Sequence, residues 1–289
     1  MSCDSIMRNF YCRILFFGRR FAPIFLSTTI FSYHGTFSES SDALELNLIK
    51  NRNGKPIDIL RLKSIQDLSD DDRYIYKVII VDNYCNADLV ERVRKSLLDS
   101  SEFSRSPQDH SIRSDHVKWL CKEEYNKIGG DISSIINHMN SLTAVFSDDI
   151  IHLEPPSHLQ AALFNGSGER YVKHRDNKPI GSRNIEDDAL WLSNREQRDR
   201  FLTCVLYLTP RDWCDSDGGM LRCYLSDEDE DGVEECMERG QRVVDIPPES
   251  GRLVVFRSCD LPHEVLPTLR DGRLALTAWM LLPPTSSGR

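Results

Sequence analysis

Tyr171-Val172-Lys173-His174-Arg175-Asp176-Asn177 sets an H-x-D pair in a strand-like run, and a second histidine stands far downstream in Pro262-His263-Glu264. Successive side chains of a β-strand alternate faces, so His174 and Asp176 point the same way. One imidazole from another strand, His263, completes three ligands on one side of a metal. Two imidazoles and one carboxylate leave the opposite face of an octahedral ion open, the donor set that suits non-haem Fe(II). Arg273, further along, offers a fixed positive fork of the kind that holds a distant carboxylate.

H-x-D alone carries little weight, because it arises by chance in many chains. Its surroundings carry more. Leu202-Thr203-Cys204-Val205-Leu206-Tyr207-Leu208 follows it, then a Gly218-Gly219 turn, Leu253-Val254-Val255-Phe256, the second histidine, and the alternating run Arg273-Leu274-Ala275-Leu276-Thr277-Ala278-Trp279. Strands are expected at 160–164, 170–174, 201–208, 220–225, 241–245, 252–256, 263–266 and 273–281. Roughly eight short strands with turns between them fit a double-sheet jelly roll, or double-stranded β-helix. Upstream, 60–62 and 77–81 also read as strands. Asn86 is placed to cap a helix whose apolar face is Leu89, Val90, Val93 and Leu97, and a second helix is expected over 131–142 with Ile132, Ile135, Ile136 and Met139 on one side. The fold class is therefore mainly β with supporting helices (α+β).

Composition bounds the partners. The 289 residues carry a net charge of -9 with few clustered Lys or Arg, which argues against nucleic acid, since phosphate binding needs a basic stripe. A protein or small-molecule partner is expected. The cysteine count of 9 is odd and contains no C-x-x-C pair, which favours neither a zinc site nor a disulfide framework and points to a reducing compartment. The first 41 residues differ in kind: Arg8, Arg13, Arg19 and Arg20 alternate with apolar runs, followed by Ser- and Thr-rich sequence. They read as a leader for organelle or secretory targeting, outside the fold, with cytoplasm or nucleus as the location if the leader does not act. Their apolar core is interrupted and shorter than the roughly 20 residues of a membrane span, so no stable span is expected.

Together these segments resemble the prolyl 4-hydroxylase branch of the Fe(II)/2-oxoglutarate oxygenases, in particular the hydroxylases that act on hypoxia-inducible factor. The resemblance rests on Tyr171 through Asn177, Leu202 through Leu208 with Asp212-Trp213, Gly218-Gly219-Met220-Leu221-Arg222, Pro262-His263-Glu264-Val265 with Pro267, and Arg273 through Trp279. Ile112-Arg113-Ser114-Asp115 with Trp119 adds an upstream echo. It implies one dioxygenase domain over 42–289, with a catalytic core at about 158–283, acting on prolyl residues of a protein or peptide substrate. Its cofactors would be Fe(II), 2-oxoglutarate and O2, with ascorbate to rescue oxidised iron.

Carried across by position, the resemblance makes His174, Asp176 and His263 the iron ligands and Arg273 the partner of the C5 carboxylate of 2-oxoglutarate. Tyr207 would donate to that carboxylate, Thr277 and Leu221 would line the pocket, and Trp279 would sit beside the metal and the target proline. Two departures stand out. Phe164 occupies the place of a tyrosine near the iron, removing a hydroxyl, and Arg273 lies one residue further from its histidine than in the family, a difference that a turn at Asp271-Gly272 can absorb. Arg270 competes for the carboxylate role, but it precedes the turn whereas Arg273 lies in the alternating strand.

Other readings remain: the same chemistry on a non-prolyl side chain or a small molecule, a binding module that retains its metal, or a cupin-like enzyme without 2-oxoglutarate. An intact Arg273 weighs against the last two. Two insertions interrupt the strands. Residues 178–200 follow the metal motif and are expected at the mouth of the site, with 185–192 as a covering loop, and the acidic run within 226–238 reads as a solvated loop.

Overall fold

Period-two alternation splits the apolar residues of β7 (Arg200–Tyr207) between two cores, and the whole molecule is organised by that division. Cys204 and Leu206 join a core shared with the helices, while Val205 and Tyr207 join a second core between two sheets. The computed structural model describes residues 59–70, 72, 76–100, 102–149, 151–177, 199–225 and 242–283. The expected leader, the covering loop at 185–192 and the acidic run lie outside the described residues.

The larger sheet has eight strands. Its centre is β7 flanked by β10 (Leu253–Arg257) and β12 (Arg273–Leu281), both antiparallel to it. On one side follow β2 (Val78–Val81) and, parallel to it, β1 (Ile59–Leu62). On the other come β5 (Leu159–Phe164), β4 (His116–Leu120) and the short β3 (Ser104–Arg105). The smaller sheet orders β6 (Glu169–His174), β11 (His263–Thr268), β8 (Leu221–Leu225) and β9 (Arg242–Ile246). Leu221, Cys223, Leu225 and Ile246 pack across to Val205, Tyr207, Val254, Phe256 and Ala275, closing the two-sheet jelly roll.

Helices cover the outer face of the larger sheet. Asn86 Oδ1 accepts the Asp88 N–H at 2.8 Å, starting α1 (Ala87–Ser100) as expected. Val90, Val93 and Leu97 of α1 then share a core with Leu206, Leu276 and Val255. Lys122–Ile128 forms α2, which the sequence reading left out, and Gly130–Asn140 forms α3, burying Ile132, Ile135, Ile136 and Met139. The expected helix over 131–142 breaks at Ser141, whose hydroxyl donates to the His138 carbonyl at 2.7 Å, and restarts as α4 (Leu142–Phe146). Strands β3 and β4 were also missed: β4 is half-buried and its alternation runs for only five residues. The described cysteines are free thiols. Among the described residues, no helix is long and apolar enough to cross a membrane.

Candidate metal centre and carboxylate pocket

Strands β6 and β11 are neighbours, with His263 directly opposite His174. That register brings residues far apart in sequence to one point: His174, Asp176 and His263 present ligand atoms all within 4.8 Å of one another. Each imidazole is anchored from behind. Nδ1 of His174 lies 2.8 Å from the Val172 carbonyl and Nδ1 of His263 lies 3.0 Å from that of Leu261. A carbonyl only accepts, so each Nδ1 carries the proton and each Nε2 turns a lone pair toward the cluster. Asp176 faces both, 3.6 Å from His174 Nε2 and 3.8 Å from His263 Nε2. The Thr203 hydroxyl donates to Asp176 Oδ2 at 2.8 Å and is shared with Ser258 at 2.9 Å, fixing the carboxylate.

Further along the same inter-sheet space, Arg273 at the head of β12 is 2% exposed. Its Nε donates to the Gly219 carbonyl at 2.5 Å, and no carboxylate among the described residues pairs with it. Phe164 and Tyr207 flank the guanidinium, with ring centres 4.9 and 5.3 Å from its carbon. Burial pushes the guanidinium down from the ordinary arginine range, against the attraction of Tyr207 and Asp115. The Tyr207 hydroxyl is buried without a well-formed hydrogen bond, and burial pushes it up to about 12. Arg270, the competing candidate, is already engaged: it pairs with both oxygens of Asp212, at 2.9 and 3.0 Å, and with Asp217 at 3.2 Å. Gly272 adopts φ +95° between the two arginines, providing the expected turn.

Residues 159–281 match the model of the 2OG-Fe(II) oxygenase superfamily. The chain carries a 2OG-Fe(II) oxygenase domain. Over 175 residues it is 30% identical to a hypoxia-inducible factor prolyl hydroxylase of Caenorhabditis elegans, a match covering 59% of this chain and 20% of that relative. The chain thus spans about a fifth of the length of the curated relative it matches. A Pseudomonas putida prolyl-4-hydroxylase structure is 27% identical, covers 73% of this chain and 95% of its own, and superposes with a TM-score of 0.52. A Trichoplax adhaerens prolyl hydroxylase, solved with a peptide fragment of the hypoxia-inducible factor oxygen degradation domain, shares the fold at 24% identity and a TM-score of 0.55, covering 71% of this chain and 83% of its own.

The residues present in the oxygenase domain fit its cofactors. Two imidazoles and a carboxylate are a donor set for Fe(II), and a buried guanidinium beside a buried phenol is suited to receive a carboxylate. Of the remaining expected site residues, Leu221 is buried in the inter-sheet core and Thr277 sits on β12 opposite Gln160 and Val205. Trp279 pairs in register with Thr203, the residue that holds Asp176. Its indole stacks beneath Arg200, with the guanidinium carbon 3.8 Å from the ring centre, and lies 5.8 Å from Trp119.

One feature of the site escaped the sequence reading. Tyr171 stacks on His174 at 3.6 Å and 17°, and the Arg113 guanidinium covers the tyrosine at 4.6 Å. Arg113 is held in turn by Asp115, at 2.6 and 2.8 Å, and by Gln160 at 2.6 Å. Tyr171 and His174 are three residues apart, so strict alternation puts them on opposite faces. A register shift between β6 and β11 inserts one extra residue between them and brings both to the same side.

Burial pushes His263 down to about 4, against the attraction of Asp176. A neutral histidine in the fold, with an unfolded value of 6.5, gives stability that is complete above that value and lost as pH falls toward 4. Metal-free protein should therefore lose on the order of 2 kcal/mol between pH 7 and pH 5 that His263→Gln does not lose. Urea denaturation of both proteins at the two pH values measures this. Parallel losses would show that the imidazole is not held neutral.

Proposed function

We propose that this domain is an Fe(II)- and 2-oxoglutarate-dependent dioxygenase that hydroxylates prolyl residues of a protein substrate. The observation that carries the reading is the pairing, within one inter-sheet space, of the His174/Asp176/His263 donor cluster with a buried guanidinium that has no carboxylate partner among the described residues. In this reading His174, Asp176 and His263 hold Fe(II), Arg273 and Tyr207 hold the distal carboxylate of 2-oxoglutarate, and Thr277 and Leu221 line the space between. When bound, the iron and co-substrate supply O2 activation coupled to oxidative decarboxylation to succinate and CO2, with ascorbate rescuing oxidised metal.

The chain's own residues orient and exclude. The backbone carbonyls of Val172 and Leu261 keep both Nε2 atoms free for the metal, and Thr203 stops Asp176 from rotating away. Leu221, Val205 and Ala275 dry the interior, which strengthens the Arg273 interaction with an anion. Trp279 and the partly exposed Trp119 form an aromatic wall suited to a proline ring.

Mass spectrometry of proline-containing peptides incubated with the protein, Fe(II), 2-oxoglutarate and ascorbate tests the proposal. One added oxygen on proline is the expected result. Succinate release with oxygen on another residue or on a small molecule would move the substrate while keeping the chemistry, and no succinate release would overturn both.

Phe164 gives a finer test. Its ring is buried against Ala162, Val265 and Tyr171. Phe164→Tyr is expected to tighten 2-oxoglutarate binding by about 1 kcal/mol and slow uncoupled decarboxylation, with the fold unchanged. Equal binding and uncoupling in the two proteins would make Phe164 a core aromatic and nothing more.

A further inference from the structure

Thr268, the last residue of β11, is fully buried, and its hydroxyl oxygen has no hydrogen-bond partner among the described residues. A buried hydroxyl without a partner is costly, and native proteins seldom leave one so. The Thr268 carbonyl is satisfied, accepting the Gly168 N–H at 2.9 Å. Only the side chain is left over, and it points where two other groups are also under-used.

Gly219 shows how close those groups stand. A Cβ on this residue would lie 3.0 Å from Arg273 Nε and 3.1 Å from Thr268 Oγ1, and 2.5 Å from Arg273 Cδ. At φ +69° the position is also one that L side chains rarely adopt, so glycine is needed here on both counts. The backbone is thus drawn in against the arginine stem, and the threonine hydroxyl comes alongside it. Tyr207, whose hydroxyl makes no well-formed hydrogen bond among the described residues, flanks the same guanidinium.

We propose that Thr268 is a co-substrate-binding residue, its hydroxyl completing with Arg273 and Tyr207 a three-donor cradle for the distal carboxylate of a 2-oxo dicarboxylic acid. The proposal rests on the 2-oxoglutarate reading of the preceding subsection. A carboxylate offers about four acceptor sites, enough for the guanidinium, the phenol and the hydroxyl together.

Anaerobic titration of Fe(II)-loaded protein with 2-oxoglutarate tests the assignment, using Thr268→Val, which keeps the shape, and Thr268→Ser, which keeps the hydroxyl. Thr268→Val should weaken binding about tenfold, and Thr268→Ser should recover most of the loss. 2-Oxobutyrate, which lacks the distal carboxylate, should bind wild type and Thr268→Val equally. Thermal melts of the metal-free proteins give a second readout: Thr268→Val should be as stable as wild type or more so, because it removes an unpaired hydroxyl. If wild type binds 2-oxoglutarate and Thr268→Val binds it as tightly, or if 2-oxobutyrate also discriminates, Thr268 is not in the cradle. If wild type binds no 2-oxoglutarate, the parent reading fails and this one with it.

Discussion

His174→Ala and Asp176→Ala are each expected to abolish Fe(II) binding and, with it, succinate release from 2-oxoglutarate. Among the described residues three protein donors converge in the cluster, so removing one leaves two, too few to hold a labile divalent ion. Asp176 is the more sensitive of the pair. Burial pushes its carboxyl up, but the Arg200 guanidinium and the Thr203 hydroxyl favour the charged form, and the carboxyl lies below the usual carboxylate range. It stays ionised and would supply the negative charge that draws a cation between the two imidazoles. Iron content after anaerobic loading, read beside succinate release, measures the effect. Wild-type iron content in either variant would remove that residue from the ligand set.

The donor cluster was legible in the sequence because each member sits in a stretch with an unambiguous local pattern: H-x-D at the end of β6 and a histidine opening β11. What alternation does not encode is register between strands. Tyr171 was part of the quoted motif, yet its stacking on His174 depends on the irregular pairing of β6 with β11, which no count along one strand reveals. The Arg113 anchor was legible only as a family echo, because its partners Asp115 and Gln160 lie on either side of three helices in sequence. The choice between Arg270 and Arg273 was argued from strand position. The structure adds an independent reason, since Asp212 and Asp217 occupy the first and, among the described residues, no carboxylate occupies the second. Thr268 had no signal at all: it is one threonine at a strand end, and its significance comes from what fails to reach its hydroxyl.

Arg273→Met is expected to weaken 2-oxoglutarate binding about tenfold to a hundredfold, because a charge-assisted pair with an ionised partner is worth roughly 1.5 to 3 kcal/mol. Methionine keeps the stem packed against Phe164 and Tyr207, so the loss reports the guanidinium rather than a cavity. Stability should move the other way. In the metal-free protein the buried guanidinium donates to the Gly219 carbonyl but pairs with no carboxylate among the described residues, and replacing such a buried charge with an apolar side chain of similar length is neutral or stabilising. Opposite signs on binding and stability separate a binding residue from a structural one, since a structural arginine would weaken both. Fe(II) affinity should change little, because none of the three donors touches Arg273. Arg270→Ala is the control: it breaks the pairs with Asp212 and Asp217 and should leave 2-oxoglutarate affinity within about twofold. A larger effect from Arg270→Ala than from Arg273→Met would reassign the carboxylate anchor to the residue before the turn.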